Sequence, residues 1–304
     1  MDPTLIMDVQ GTTQISPTQP PSICSQVWGL YPTTNLPEWL TTPSSVEGLY
    51  TEVKYVYLAG ELIKHGFVNA DDCPSGGLTL DGASNICGME KAYTEVVYWQ
   101  NLFNQEILTA AQEDQIPAQL IKRLFAQETQ FWPNTDFKRP AYGLGNVTSP
   151  GIDPLFKWNE GIYQDTCRDL FSQPCSEPYS HLGLADQQNL RGYFISQHID
   201  AYCPTCSNGI DLEKTNNSID YFAKLVVANC QQVDLLLNNY KFSPRALTYE
   251  DVWRLTLANY TVGSGCIANG LENMDQSKDF SWESFTTQID PNCNVNQIIN
   301  TITR

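Results

Sequence analysis

Helical periodicity in five stretches, the scarcity of alternating strand patterns and ten cysteines at irregular, loop-like spacings predict a mainly α protein with disulfide-braced loops. At 304 residues and 41% hydrophobic content the chain is long enough to bury a full core.

The first 46 residues hold seven of the 18 prolines and eight threonines, with isolated Trp28, Tyr31 and Trp39. Such composition reads as an extended arm or linker, its aromatics anchoring it to its own domain. From Val46 to Gly66, Leu49, Val53, Val56, Tyr57 and Ile63 recur at helical spacing, with Gly66 after His65 as the stop. The Gly/Ser/Asp-rich stretch from Cys73 to Cys87 reads as a loop tied at its ends by a disulfide. No Gly-Lys-Ser/Thr follows it, so it is not a phosphate loop. A second helix is expected from about Met89 to Gln112. These two helices, residues 47–114, form an extension packed on a domain spanning 115–304.

The stretch IPAQLIKRLFAQETQFW, Ile116 to Trp132, predicts a helix with Pro117 in its first turn. Leu120, Ile121, Leu124 and Phe125 make one apolar stripe, and Glu128 falls at its centre. Gln119, Lys122, Arg123 and Gln130 are expected on the opposite, solvated side. A carboxylate on a buried stripe either pairs with a cation, Arg123 being the candidate, or holds its proton unusually tightly. The second case describes a general acid.

Residues 134–216, rich in Gly, Pro, Cys and Asn, are expected to be largely irregular and to build a binding cleft. From Asn217, the residues Ile219, Phe222, Val226, Val233 and Leu237 predict a long helix that places Cys230 on its buried face, free or bridged. Thr248 with Asp251 is a capping-box start for a last helix, running to Tyr260 and a Gly263-Ser264-Gly265 turn.

A net charge of −17, from 17 basic and 34 acidic residues, argues against nucleic acid or an anionic membrane surface as partner. No stretch is apolar and long enough to span a bilayer. The cysteines imply an oxidising compartment, yet MDPTLIMDVQ lacks a secretion signal, so an exported fragment or part of a larger polypeptide or assembly is expected. Asn146, Asn216 and Asn259 head Asn-x-Ser/Thr sequons. His65, His181 and His198 are too scattered for a metal site, no cofactor motif occurs, and Cys203-Pro-Thr-Cys206 reads as a structural disulfide.

Three ordered stretches, AQETQFWP around Glu128, YGLGNVT from Tyr142 and LANYTVGSG from Leu257, resemble the catalytic domain of soluble-type lytic transglycosylases. These lysozyme-like enzymes, related to goose-type lysozymes, cleave the β-1,4 glycan of peptidoglycan. The resemblance covers roughly 115–270 and implies a lysozyme-like fold acting on peptidoglycan strands outside the cytosol, whether extracellular, periplasmic or at the cell surface. It makes Glu128 the catalytic acid. Thr129 stands where the family usually has Ser; Gly143-Leu144 match the second motif, with Gly145 replacing Met and Asn146 replacing Gln. Ala258, Tyr260, Gly263 and Gly265 match the third motif, with Thr261 replacing Asn.

The resemblance implies substrate contacts from Thr129, Tyr142, Gly143, Leu144, Asn146 and Tyr260, the last bonding the acid or the sugar's acetamido group. Losing Met at Gly145 is expected to remove one wall of the cleft. Such enzymes need no second carboxylate. A goose-type hydrolase of the same bond would need one, and Asp136 and Asp153 are the candidates by position. A third reading keeps the fold as a glycan-binding scaffold without activity.

Overall fold

The computed structural model describes residues 23–32, 35–136, 140–240, 247–275, 278–293 and 295–303. It is mainly helical with one small sheet. In chain order the helices are α1 (Ile23–Trp28), α2 (Val56–Lys64), α3 (Ile86–Leu102), α4 (Asn104–Glu113) and α5 (Ala118–Thr129). After the sheet come α6 (Asp153–Trp158), α7 (Glu160–Phe171), α8 (Leu184–His198), α9 (Leu212–Asn239), α10 (Tyr249–Val262), α11 (Ser264–Asn273), α12 (Trp282–Gln288) and α13 (Val295–Ile302). Between α5 and α6, β1 (Asn134–Asp136), β2 (Ala141–Gly143) and β3 (Val147–Thr148) form an antiparallel meander, with Thr135 opposite Tyr142 and Tyr142 opposite Val147.

The spine is α9, against which α1, α4, α6, α8, α10 and α11 pack. Its buried stripe includes Ile219, Phe222, Val226, Cys230, Val233 and Leu237. Asp211 caps it, accepting from Lys214 N, so the helix begins earlier than its apolar stripe. The capping box of Thr248 and Asp251 starts α10 as expected. All ten cysteines are paired: 24–230, 73–87, 167–175, 203–206 and 266–293. Cys230 is therefore bridged, and Cys24 ties the arm to the spine. Trp28 adds an indole bond to the Cys230 carbonyl at 3.1 Å and an edge contact with Trp253. The arm before residue 23 lies outside the described residues.

Several expected boundaries move. The helix expected over 46–66 is a 3-10 turn, Val46–Leu49, then extended chain, then α2. Side-chain amides of α3 draw residues 51–53 out of helix. Asn101 bonds the N–H and carbonyl of Thr51 at 2.9 and 2.7 Å, and Gln100 does the same for Val53 at 2.9 and 3.1 Å. The helix expected over 89–112 breaks at the fully buried Phe103 into α3 and α4. The expectation of largely irregular chain over 134–216 is also corrected, because it contains two regular helices, α7 of 12 residues and α8 of 15, besides the short α6. The inward face of α8, Leu190, Arg191, Phe194 and Ile195, contains a charge, and that hid its helical stripe.

Candidate active site

Two distant segments meet the ends of α5. Its first free amides are met from the arm: Ala118 N donates to Thr42 Oγ1 at 2.9 Å and Gln119 N to the Thr41 carbonyl at 3.1 Å. Pro117 is the N-cap residue, just ahead of the first turn. At the other end Gln130 turns left-handed, and its Oε1 accepts from Tyr57 N at 2.9 Å, capping α2. The C-terminal end of α5, beside Glu128, is thus joined to the start of α2.

Leu120, Ile121, Leu124 and Phe125 are fully buried, as the stripe predicts. The solvated side is corrected at Lys122, which is 2% exposed. Its Nζ reaches the Gln100 carbonyl and Asn104 Oδ1 and lies 4.5 Å from the Phe131 ring centroid. Burial lowers its pKa to about 7.

Glu128 is half-buried and forms no ion pair among the described residues. Arg123, the expected cation, turns instead to Glu38 at 3.4 Å and to the Ile302 carbonyl at 3.2 Å. Burial pushes the Glu128 carboxyl above its ordinary range, and the Asn146 amide, 3.4 Å from Oε2, works in the opposite direction by favouring the charged form. Asn146 adopts a left-handed φ of 56°, a conformation asparagine tolerates, at the β2–β3 turn. The turn therefore aims its amide at Glu128.

Tyr260, on α10, donates its hydroxyl to the Gly145 carbonyl in the same turn. Burial, then the nearby Glu128 charge, raises its pKa well above the ordinary value. The three motifs meet here: Glu128 with Asn146, Tyr260 with Gly145, and Thr129 with Leu144. Thr129, expected to contact substrate, faces the hairpin. It is 3% exposed, and its Oγ1 donates to the Leu144 carbonyl at 2.8 Å, joining α5 to the hairpin. Leu144 and Gly143 are buried too and shape the turn, Gly143 at a φ of 68°. Tyr142 is half-buried beside Phe125 and Phe222, and no polar contact joins it to Glu128 among the described residues.

Gly145 does not leave a wall missing. A Cβ built there would lie 2.1 Å from Phe222 Cε2, so the Phe222 ring already fills the space a side chain at 145 would occupy. That ring packs against Phe125 at 4.8 Å and Tyr260 at 5.5 Å between centroids. Sequence reasoning placed Phe222 on the buried stripe of α9 and missed this role.

Of the two candidate second carboxylates, Asp153 is engaged elsewhere. It pairs with Arg191 at 2.8 Å and accepts the Tyr179 hydroxyl. Asp136 sits in β1 opposite Ala141, and its side chain lies outside the described residues. Asn259 is 3% exposed, so its sequon is closed to a glycan in the folded chain. Among the described residues no His, Cys, Asp and Glu cluster could hold a metal ion. No helix of the described residues is long and apolar enough to cross a membrane. No protein-family model, no curated protein and no solved structure matches the chain.

Proposed function

We propose that the chain is a lytic transglycosylase of lysozyme-like fold that cleaves the β-1,4 glycan bond of peptidoglycan with Glu128 as its single acid and base. The observation that carries this reading is the setting of Glu128: a carboxyl of raised pKa with no ion-pair partner among the described residues, flanked by Asn146 from the second motif and Tyr260 from the third. A protonated carboxyl in such a setting delivers its proton to the glycosidic oxygen, breaking the bond to C1. The acetamido group of the same sugar stabilises the cationic C1. Glu128, now a carboxylate, accepts the proton of that sugar's 6-hydroxyl as its oxygen bonds C1, closing a 1,6-anhydro ring and restoring the acid. The engagement of Asp153 with Arg191 supports this single-carboxylate route over water activation by that residue. Five disulfides are compatible with an extracellular, periplasmic or cell-surface site of action.

Digestion of purified peptidoglycan, followed by mass spectrometry of the products, tests the reading. Anhydro-muropeptides are expected, and Glu128→Gln should lower their rate of formation by about 10²- to 10⁴-fold. New reducing ends would replace the transglycosylase with a hydrolase. No cleavage at all, with glycan binding equal in the wild type and Glu128→Gln, would leave a binding scaffold.

A further inference from the structure

The loop joining α8 to α9, residues 199–211, carries Cys203-Pro-Thr-Cys206, whose two cysteines are bridged. Each of the other four bridges has a cysteine that is buried or packs on the core: Cys24 and Cys230, Cys73, Cys167, and Cys266. At Cys203–Cys206 neither cysteine does so. Both are half-buried, and Pro204, Thr205 and Ser207 around them are exposed. A reagent from solution meets this disulfide at the surface.

Hydrogen bonds that do not involve sulfur already hold the loop. Tyr202 pairs with Ile210 across its neck, and Asp211 N donates to the Ala201 carbonyl at 2.9 Å. Further in, Cys203 N donates to the Gly209 carbonyl at 3.0 Å, Cys206 N to the Cys203 carbonyl at 3.1 Å and Gly209 N to the Cys206 carbonyl at 3.2 Å. The tip is anchored to the end of α2 in both directions. Asn208 Nδ2 donates to the His65 carbonyl at 2.7 Å, and His65 Nδ1 donates to the Asn208 carbonyl at 2.9 Å. A bridge between residues only three apart constrains the unfolded chain little. Opening it leaves every one of these bonds in place, so the loop accommodates the closed and the open pair alike.

One contact does involve sulfur. The Thr205 hydroxyl lies 3.6 Å from Cys203 Sγ, and because a bridged sulfur has no hydrogen, the hydroxyl is the donor. The same bond strengthens when Cys203 becomes a thiolate. Cys203 is therefore the better leaving group, and Cys206 Sγ is the sulfur to be attacked.

We propose that Cys203–Cys206 is a redox-active pair that exchanges with an external dithiol. A thiolate of the dithiol attacks Cys206 Sγ and forms a mixed disulfide as the bond to Cys203 breaks. Cys203 leaves as a thiolate beside Thr205 and takes up a proton. The dithiol's second sulfur, as a thiolate, then attacks its first sulfur in the mixed disulfide and releases Cys206, which is protonated in turn. Two electrons pass from the dithiol, now a disulfide, to the chain, now with two thiols. The inference uses none of the residues of the glycan-cleavage reading and stands independently of it.

The full chain is incubated with dithiothreitol in the absence of denaturant, quenched with N-ethylmaleimide and mapped by mass spectrometry. Cys203 and Cys206 should be alkylated about tenfold or more faster than any other pair, with the circular dichroism unchanged. Thr205→Val should slow the reaction about two- to tenfold, the worth of one hydrogen bond. With glutathione, a monothiol, the mixed disulfide should form on Cys206. Equal or earlier opening of Cys266–Cys293, the other bridge whose cysteines are both half-buried, would overturn the proposal. So would a loss of helical signal when Cys203–Cys206 opens, which would make that bridge structural. A mixed disulfide on Cys203, or an unchanged rate in Thr205→Val, would overturn the direction of attack and the part assigned to Thr205.

Discussion

Glu128 and Lys122 lie on one helix and have both been drawn out of water, with opposite effects on their protons. The raised pKa of Glu128 means that the folded chain holds its proton more tightly than the unfolded chain. As pH rises above the ordinary carboxyl range the unfolded chain ionises first, so this residue costs stability there while serving as the acid. Turnover should accordingly fall on the alkaline side as the acid form is lost. Lys122 has the inverse linkage. Its folded pKa is about 7 against an ordinary value of 10.5, so between those limits the unfolded chain binds the extra proton and stability rises with pH. The slope from this one group is at most ~1.4 kcal/mol per pH unit. Urea melts of the wild type and Lys122→Met from pH 7.5 to 9.5 should diverge by up to that slope. Parallel curves would mean that the ammonium stays charged, held by the Gln100 carbonyl, Asn104 and the Phe131 ring.

At the level of elements, the site depends on how closely the β2–β3 turn approaches α9. Gly145 touches the Phe222 ring so tightly that Gly145→Ala must displace it, and with it the packing on Tyr260 and Phe125. The expected cost is ~1–3 kcal/mol, as for other overpacked cores. Gly145→Ala combined with Phe222→Leu should recover part of it, a coupling that a double-mutant cycle reads directly. Additive losses would show that the two residues do not compete for one space. Phe222 also illustrates what periodicity can convey. Its place on the stripe of α9 was readable from spacing, but its occupation of the space above residue 145 depends on contacts across 77 positions of chain. Similarly, the apolar face of α5 and the misplaced Glu128 were legible, while Lys122 was not, because its acceptors Gln100 and Asn104 belong to another helix. The break between α2 and its preceding turn escaped for the same reason, since side chains of α3 supply the competing hydrogen bonds.

Across the whole molecule, one continuous set of buried side chains runs from Cys24 to Ile302, so the arm, the N-terminal helices and the site share a core. The arm contributes to both: Thr41 and Thr42 cap α5, while Trp28 and Cys24 bind α9. The disulfides therefore differ in what they restrain. Cys24 and Cys230 are 206 residues apart in sequence, whereas Cys203 and Cys206 are three apart. In the chain-entropy view the long closure is worth ~5 kcal/mol and the short one ~2 kcal/mol, upper figures that native relaxation reduces. Replacing Cys24 and Cys230 by Ser should thus lower the urea-derived stability more than the same change at Cys203 and Cys206. It should also open the arm to limited proteolysis near Trp28 before the core unfolds. Equal losses from the two pairs, with no early cleavage, would show that Trp28 and the threonine caps hold the arm in place and that the long bridge adds little.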